Sequence, residues 1–194
     1  SQVAEIPLGH GPEQITWRAQ PDDETASFLE IHCRGAQSDS LRIGLRAPNG
    51  ADSGLLPLAP GEIRSLETAG GAALARIYHV PARRLDGATE NAAHHVIALA
   101  PTRGQKPGEA EAPCGAWTVT LEGAGGTALL QVQRDDAIRG AEVRGRQSYL
   151  DHPDAHGWDD ARAEYDAPDA SPITDAGCHN ALVTAACRQV FCIG

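Results

Sequence analysis

Leu41-Arg42-Ile43-Gly44-Leu45-Arg46 alternates apolar and polar residues one for one, and Ala47-Pro48-Asn49-Gly50 stops it. Strict alternation places Leu41, Ile43 and Leu45 on one face of an extended segment and the arginines on the other. Pro and Asn-Gly supply turn geometry that a strand interior cannot use. The same signature repeats outward in both directions. Phe28, Glu30 and His32 share one face of a strand, with Leu29, Ile31 and Cys33 on the other. Further strands are expected at Glu62–Thr68, Leu74–Val80, His95–Ala100, Trp117–Leu121 and Ala128–Arg134. Ala69-Gly70-Gly71, Gly123-Ala124-Gly125-Gly126 and the Pro/Gly/Glu-rich stretch Thr102–Pro113 punctuate them. About seven to eight short strands with frequent turn signals predict a mainly β fold, an antiparallel β-sandwich or jelly roll over residues 1–134.

Beyond Asp135 the character changes. Residues 135–178 are rich in Asp, Arg, Gly and Pro and carry no hydrophobic period. So long an irregular stretch wraps a domain or connects two. Asn180–Ala186 reads as a short helical or extended apolar segment, and Val190–Ile193 as a terminal strand. Residues 135–194 are therefore expected to be an irregular connector and a closing strand whose sheet partners lie elsewhere. The chain has no methionine and begins at Ser1, which predicts a piece of a longer polypeptide.

A hydrophobic fraction of 41% suffices for a packed core, and aromatics at 4% make that core aliphatic. Arginine supplies all the basic residues except Lys106, a bias typical of GC-rich bacterial genomes. The net charge is −10 and the basic residues are scattered, with no stripe to displace phosphate counterions, so nucleic acid is excluded as a partner. No apolar run approaches the ~20 residues of a membrane-spanning helix. The five cysteines contain no Cys-x-x-Cys pair, which argues against a zinc ribbon. Cys33, Cys187 and Cys192 read as small core residues. Cys33–Cys114 and Cys178–Cys187 are the disulfide alternatives.

Several clusters invite a chemical reading. Ser148 near Asp151, His152, Asp154 and His156 suggests a local triad, but triads are assembled in space rather than along a few residues. Asp151, His152, Asp154 and His156, with Asp159 and Asp160, are candidate metal ligands, the carboxylates suiting calcium and the histidines a transition metal. A solvated loop capped by aspartates is the simpler reading, with no cofactor. His94 and His95 are neighbours on a strand and so face opposite ways, unable to share a ligand. With His32 and His79 they read as core or edge histidines. Trp17, Trp117 and Trp158 would make a sugar-stacking platform if exposed, although Trp117 is expected to anchor the core with its indole N–H bonded locally.

Two segments carry a resemblance. Gly115-Ala116-Trp117-Thr118-Val119-Thr120-Leu121, followed by a glycine turn and Leu129-Leu130-Gln131-Val132, is similar to jelly-roll accessory domains of subtilisin-like proteases. A second set, Arg134-Asp135-Asp136, Arg144-Gly145-Arg146-Gln147-Ser148-Tyr149, Asp159-Asp160, Asn180-Ala181-Leu182 and Val190-Phe191-Cys192-Ile193-Gly194, resembles bacterial subtilisin-like serine proteases with a β-sandwich inserted in the catalytic domain. Together they span roughly residues 110–194. The resemblance implies that the insertion follows the strand ending in the oxyanion-hole asparagine. The connector then returns the chain to a core strand, here Val190–Gly194. The catalytic Asp and His would precede this chain and the nucleophilic Ser would follow it, so no catalytic residue is assigned. Thr174–Leu182 departs from the family pattern and leaves Cys178 and His179 without counterparts.

On that reading the chain is a non-catalytic portion of a serine endopeptidase, stabilising the catalytic domain or engaging substrate. Its partners are the rest of the parent chain and protein substrate, and an unpaired terminal edge would favour an edge-strand dimer. A secreted or periplasmic place fits such a protease, while the sequence itself leaves the compartment open. The alternative is a free-standing carbohydrate- or protein-binding sandwich.

Overall fold

The computed structural model describes residues 2–34, 40–85, 89–91, 93–132, 145–152, 158–159, 164–165 and 172–174. Its principal strands are β1 (Val3–Pro7), β2 (Glu13–Ala19), β3 (Ser27–Arg34), β4 (Arg42–Arg46), β5 (Leu56–Pro57), β6 (Ile63–Glu67) and β7 (Ala73–Val80). A small hairpin of β8 (Arg83–Leu85) and β9 (Thr89–Asn91) precedes β10 (His94–Leu99), β11 (Gly115–Glu122) and β12 (Thr127–Val132). In the connector lie β13 (Tyr149–Asp151), the pair β14 (Trp158–Asp159) and β15 (Glu164–Tyr165), and β16 (Ile173–Thr174).

Two antiparallel sheets face each other. The larger has the order β16-β1-β12-β3-β10-β7-β6 and the smaller β13-β2-β11-β4-β5. Their logic is a nested hairpin. β1 pairs with β12, β2 with β11, β3 with β10 and β4 with β5, and successive pairs fall in alternate sheets. Rolling a long hairpin in this way gives a jelly roll. Lateral ladders β12·β3 and β11·β4 then close each sheet. The expected sandwich forms, with more strands than seven or eight. Residues 3–19 add two strands, and the connector adds β13 beside β2 and β16 beside β1.

Alternation puts one face of every long strand inside. Ile15, Trp17 and Ala19 of β2, with Trp117, Val119 and Leu121 of β11, form the inner face of the smaller sheet. Leu29, Ile31, Ile97, Leu99, Ala128 and Leu130 oppose them from the larger sheet. Trp17 and Trp117 are direct cross-strand partners, both fully buried. The Trp117 indole N–H donates to the Pro113 carbonyl at 2.9 Å, the local bond expected for it. The turn after β4 closes through the Gly50 amide, which donates to the Ala47 carbonyl at 2.9 Å. Gly50 has a φ of 86° there, which favours a residue without a Cβ. The terminal segment Val190–Ile193 lies outside the described residues.

Deleting a buried indole removes a large apolar area and leaves a cavity. Trp117→Ala is expected to lower the unfolding free energy in urea by about 3–5 kcal/mol. An unchanged transition midpoint would show that the indole pair is not central to the core.

Candidate functional site

The residues singled out in the connector meet the sandwich around one buried carboxylate. Asp22 takes a left-handed φ of 56° in the turn after β2, and Asp23 follows it into the interior with 2% exposure. Asp23 Oδ1 accepts from the Thr25 amide at 3.0 Å, the Thr25 hydroxyl at 2.8 Å and the Arg146 amide at 3.1 Å. Its Oδ2 accepts from the Ser27 hydroxyl at 3.3 Å. The Asp23 amide donates to Thr102 Oγ1 at 2.9 Å, and that hydroxyl donates to the Gln20 carbonyl at 2.7 Å. The Arg103 amide completes the hub by donating to the Asp23 carbonyl at 3.0 Å. The β2–β3 turn and the connector are thereby fastened to the Asp23 carboxylate, and the loop after β10 to the Asp23 backbone.

From Arg146 the chain runs along β2. Ser148 is buried, with 3% exposure. Leu150 lies opposite Trp17 in register and is fully buried, and its amide donates to Gln2 Oε1 at 2.7 Å. Asp151 lies opposite Thr16, and Arg18 Nε donates to its Oδ2 at 2.5 Å. That hydrogen bond is also the main reason the Arg18 guanidinium holds its proton more tightly than usual. Of the suggested local triad, the hydroxyl is therefore enclosed and the carboxylate is engaged by an arginine. Of the metal candidates, Asp151 has this partner, His152 is half-buried, and Asp154 and His156 lie outside the described residues. Among the described residues no group of three or more His, Cys, Asp or Glu side chains is arranged to hold a metal ion.

The strand histidines sort as alternation requires. On β10, His94 faces outward and stacks on His32 of β3 with ring centroids 4.8 Å apart. His95 faces inward and stacks on His79 of β7 at 4.3 Å. His79 Nδ1 donates to the Leu58 carbonyl at 2.8 Å. Burial, with smaller contributions from His79 and His94, lowers the His95 pKa to about 3.

Both sheets carry a shallow outer groove. One of about 440 Å3 is lined by Phe28, Tyr78, Arg76 and Ala98 on the larger sheet. The other, of about 550 Å3, is lined by Gln14, Thr120, Arg46 and Asp52 above Gly44 on the smaller. Arg46 Nε donates to Asp52 Oδ2 at 2.9 Å, and the Gly54 amide and this guanidinium hold the Asp52 carboxyl below the usual range. Trp17 and Trp117 reach neither groove, because both belong to the core, so they form no stacking platform. The side chain of Trp158 lies outside the described residues. No disulfide joins Cys33 to Cys114. Cys33 packs against the core from the larger sheet, whereas Cys114 is exposed just before β11 of the smaller. Cys178, Cys187 and Cys192 lie outside the described residues.

Neither a known protein family nor a curated protein sequence matches this chain. Among solved structures, the fold is similar to part of the Clostridium perfringens CspB protease, with a TM-score of 0.48 and 9% identity. The alignment covers 67% of this chain and 25% of that one, so the chain matches about a quarter of the protease's length.

Sequence reading passed over Asp23. The signal was present in Asp23-Glu24-Thr25-Ala26-Ser27, where an Asp followed by Thr and Ser at two-residue spacing is the pattern of an Asx turn. Asp23→Ala is expected to destabilise the fold by about 2–4 kcal/mol, since the buried Ser27 hydroxyl and three part-buried donors lose their acceptor together. It should also expose the chain after Arg146 to trypsin. Arg18→Ala should cost under about 1 kcal/mol, its side chain being 43% exposed. Equal urea midpoints for the two variants would contradict this ranking.

Proposed function

We propose that the chain is a non-catalytic β-sandwich portion of a subtilisin-like serine endopeptidase, stabilising the catalytic domain or helping to engage substrate. The observation that carries this reading is the placement of Gly145–Asp151. This segment falls within the stretch of sequence that resembles the return connector of such proteases. It is fastened to the sandwich through Asp23 and adds an edge strand to the smaller sheet. An insertion needs such an anchorage, so that its exit from the sandwich has a fixed position and direction for the neighbouring domain. The side chains that suggested chemistry have structural work instead. Ser148 is enclosed, Asp151 pairs with Arg18, and His79 and His95 lie in the core.

A glycan-binding role would draw on exposed aromatics, and the burial of Trp17 and Trp117 weakens that alternative. In the proposed role the partners are the remainder of the parent chain and its protein substrate, and the parent would be bacterial and either secreted or periplasmic.

The purified chain should show no peptide hydrolysis and no labelling by a fluorophosphonate probe. Mass-spectrometric detection of the probe on Ser148 would overturn the proposal. The genomic reading frame supplies a second check, with an Asp/His pair upstream and a Gly-Thr-Ser turn downstream expected. A frame lacking both would remove the protease assignment and leave a sandwich of another purpose.

A further inference from the structure

Four of the eight histidines gather at one level of the larger sheet, two on each side of β10, and the role proposed above uses none of them. The inner pair is unusual in its environment. His95 is fully buried, and neither of its ring nitrogens has a hydrogen-bond partner. A buried polar group in that state costs free energy even when neutral, and far more once charged. Its ring lies against His79, whose Nδ1–H is committed to the Leu58 carbonyl. A proton arriving at the His95 ring therefore finds a buried site in which, among the described residues, neither nitrogen has a hydrogen-bonding partner.

The described groups on the neighbouring elements place no carboxylate on His95. β3 presents Ile31 opposite His95, with Glu30 and His32 turned to the outer face, where His32 Nε2 lies 3.2 Å from Glu30 Oε2. The segment before β6 carries Glu62, whose Oε2 accepts from the Ala59 amide at 2.7 Å. β6 carries Arg64, whose guanidinium donates to the carbonyls of Ile43, Leu56 and Pro57. The smaller sheet's strand β4 buries Ile43 and Leu45, both apolar, on its inner face. On β10 itself His94 is the ionisable neighbour, and its charge adds to the penalty.

Topology decides how the strain would be relieved. On one side β10 is held by β3, which is itself locked to β12 and β1. On the other side, among the described strands, lie β7 and then β6 at the end of the sheet. The His79–His95 contact sits on the β7·β10 seam, so separating that seam admits water while moving the fewest strands. We infer that the His79–His95 stack is an acid-sensitive latch, holding the β6–β7 edge of the sandwich closed when neutral and releasing it when protonated.

The sign follows from linkage. His95 in the closed sheet titrates near 3, against 6.5 when exposed, so the open form binds more protons between those values. Closure is at full strength above about pH 6.5 and weakens as pH falls toward 3. At pH 4.5, two units below the exposed value, the opening equilibrium should rise about a hundredfold.

Hydrogen exchange of the whole chain, compared at pH 7 and pH 4.5 after correction for intrinsic rates, reads this directly. Peptides within residues 58–80 should lose about a hundredfold in protection, while those within 115–132 change little. His95→Phe keeps a ring in the stack without a titratable nitrogen, and should abolish the selective loss. His10→Gln, an exposed control, should leave it intact. Equal loss of protection in both regions of the wild-type chain would overturn the latch. So would a selective loss that survives in His95→Phe, or in His79→Phe should the first variant not fold.

Discussion

Register between β2 and β11 is the constraint on which the other contacts rest. Trp17 stands directly opposite Trp117, and both indoles point into the core. Side chains alternate with period two, so a slip of one residue along this ladder would carry one strand's indole to the solvent face. The penalty fixes the register, and the register fixes the nested pairs on either side. β4 is set against β11, and β13 is set against β2 with Leu150 completing the row of buried side chains. The connector is held by the same apolar layer that holds the sandwich together, which is why its path over Gly145–Asp151 is well defined.

Two buried ionisable groups show opposite solutions to the same problem. Asp23 is surrounded by donors, so its burial stabilises the segments that supply them. His95 has no hydrogen-bonding partner, so its burial is tolerated only while it stays neutral. The first arrangement ties the β2–β3 turn to the connector through one carboxylate. The second leaves one seam of the larger sheet dependent on its surroundings. Rigidity and susceptibility are therefore distributed unevenly over one domain.

Much of the fold was legible because alternation is a local signal. β4, β10, β11 and β12 follow directly from it, as does the opposite facing of His94 and His95. Strands β1 and β2 were harder to see. Pro7 closes one, and the glycines and prolines around residues 9–12 and 21 give the region the look of a loop. Yet Glu13–Ala19 alternates as cleanly as Arg42–Arg46 once its partner is known. Trp17 illustrates the difficulty, since one sequence position serves equally for a core anchor or an exposed stacking ring, and only the pairing with β11 decides. The site was less legible still. Asp23 reaches Arg146 across 123 positions, and the histidine stacks join β10 to β3 and β7, so neither arrangement is written in any local stretch.

The nested topology has a kinetic consequence. Among the described strands, β1 pairs with residues 127–131 and 173–174, and β2 with residues 115–121 and 149–151, so the opening strands gain these partners only after most of the chain exists. Contacts of such large sequence separation cost loop-closure entropy before they return any stabilisation, which places this domain among slow folders. A polypeptide emerging from a ribosome would present the Ile15–Trp17 face uncovered for many seconds at ordinary elongation rates of ~5–20 residues per second. The turn at Ala47–Gly50, which doubles β4 back so that Arg46 bridges Asp52, is local enough to form before those partners are made, although so short a hairpin is marginal alone.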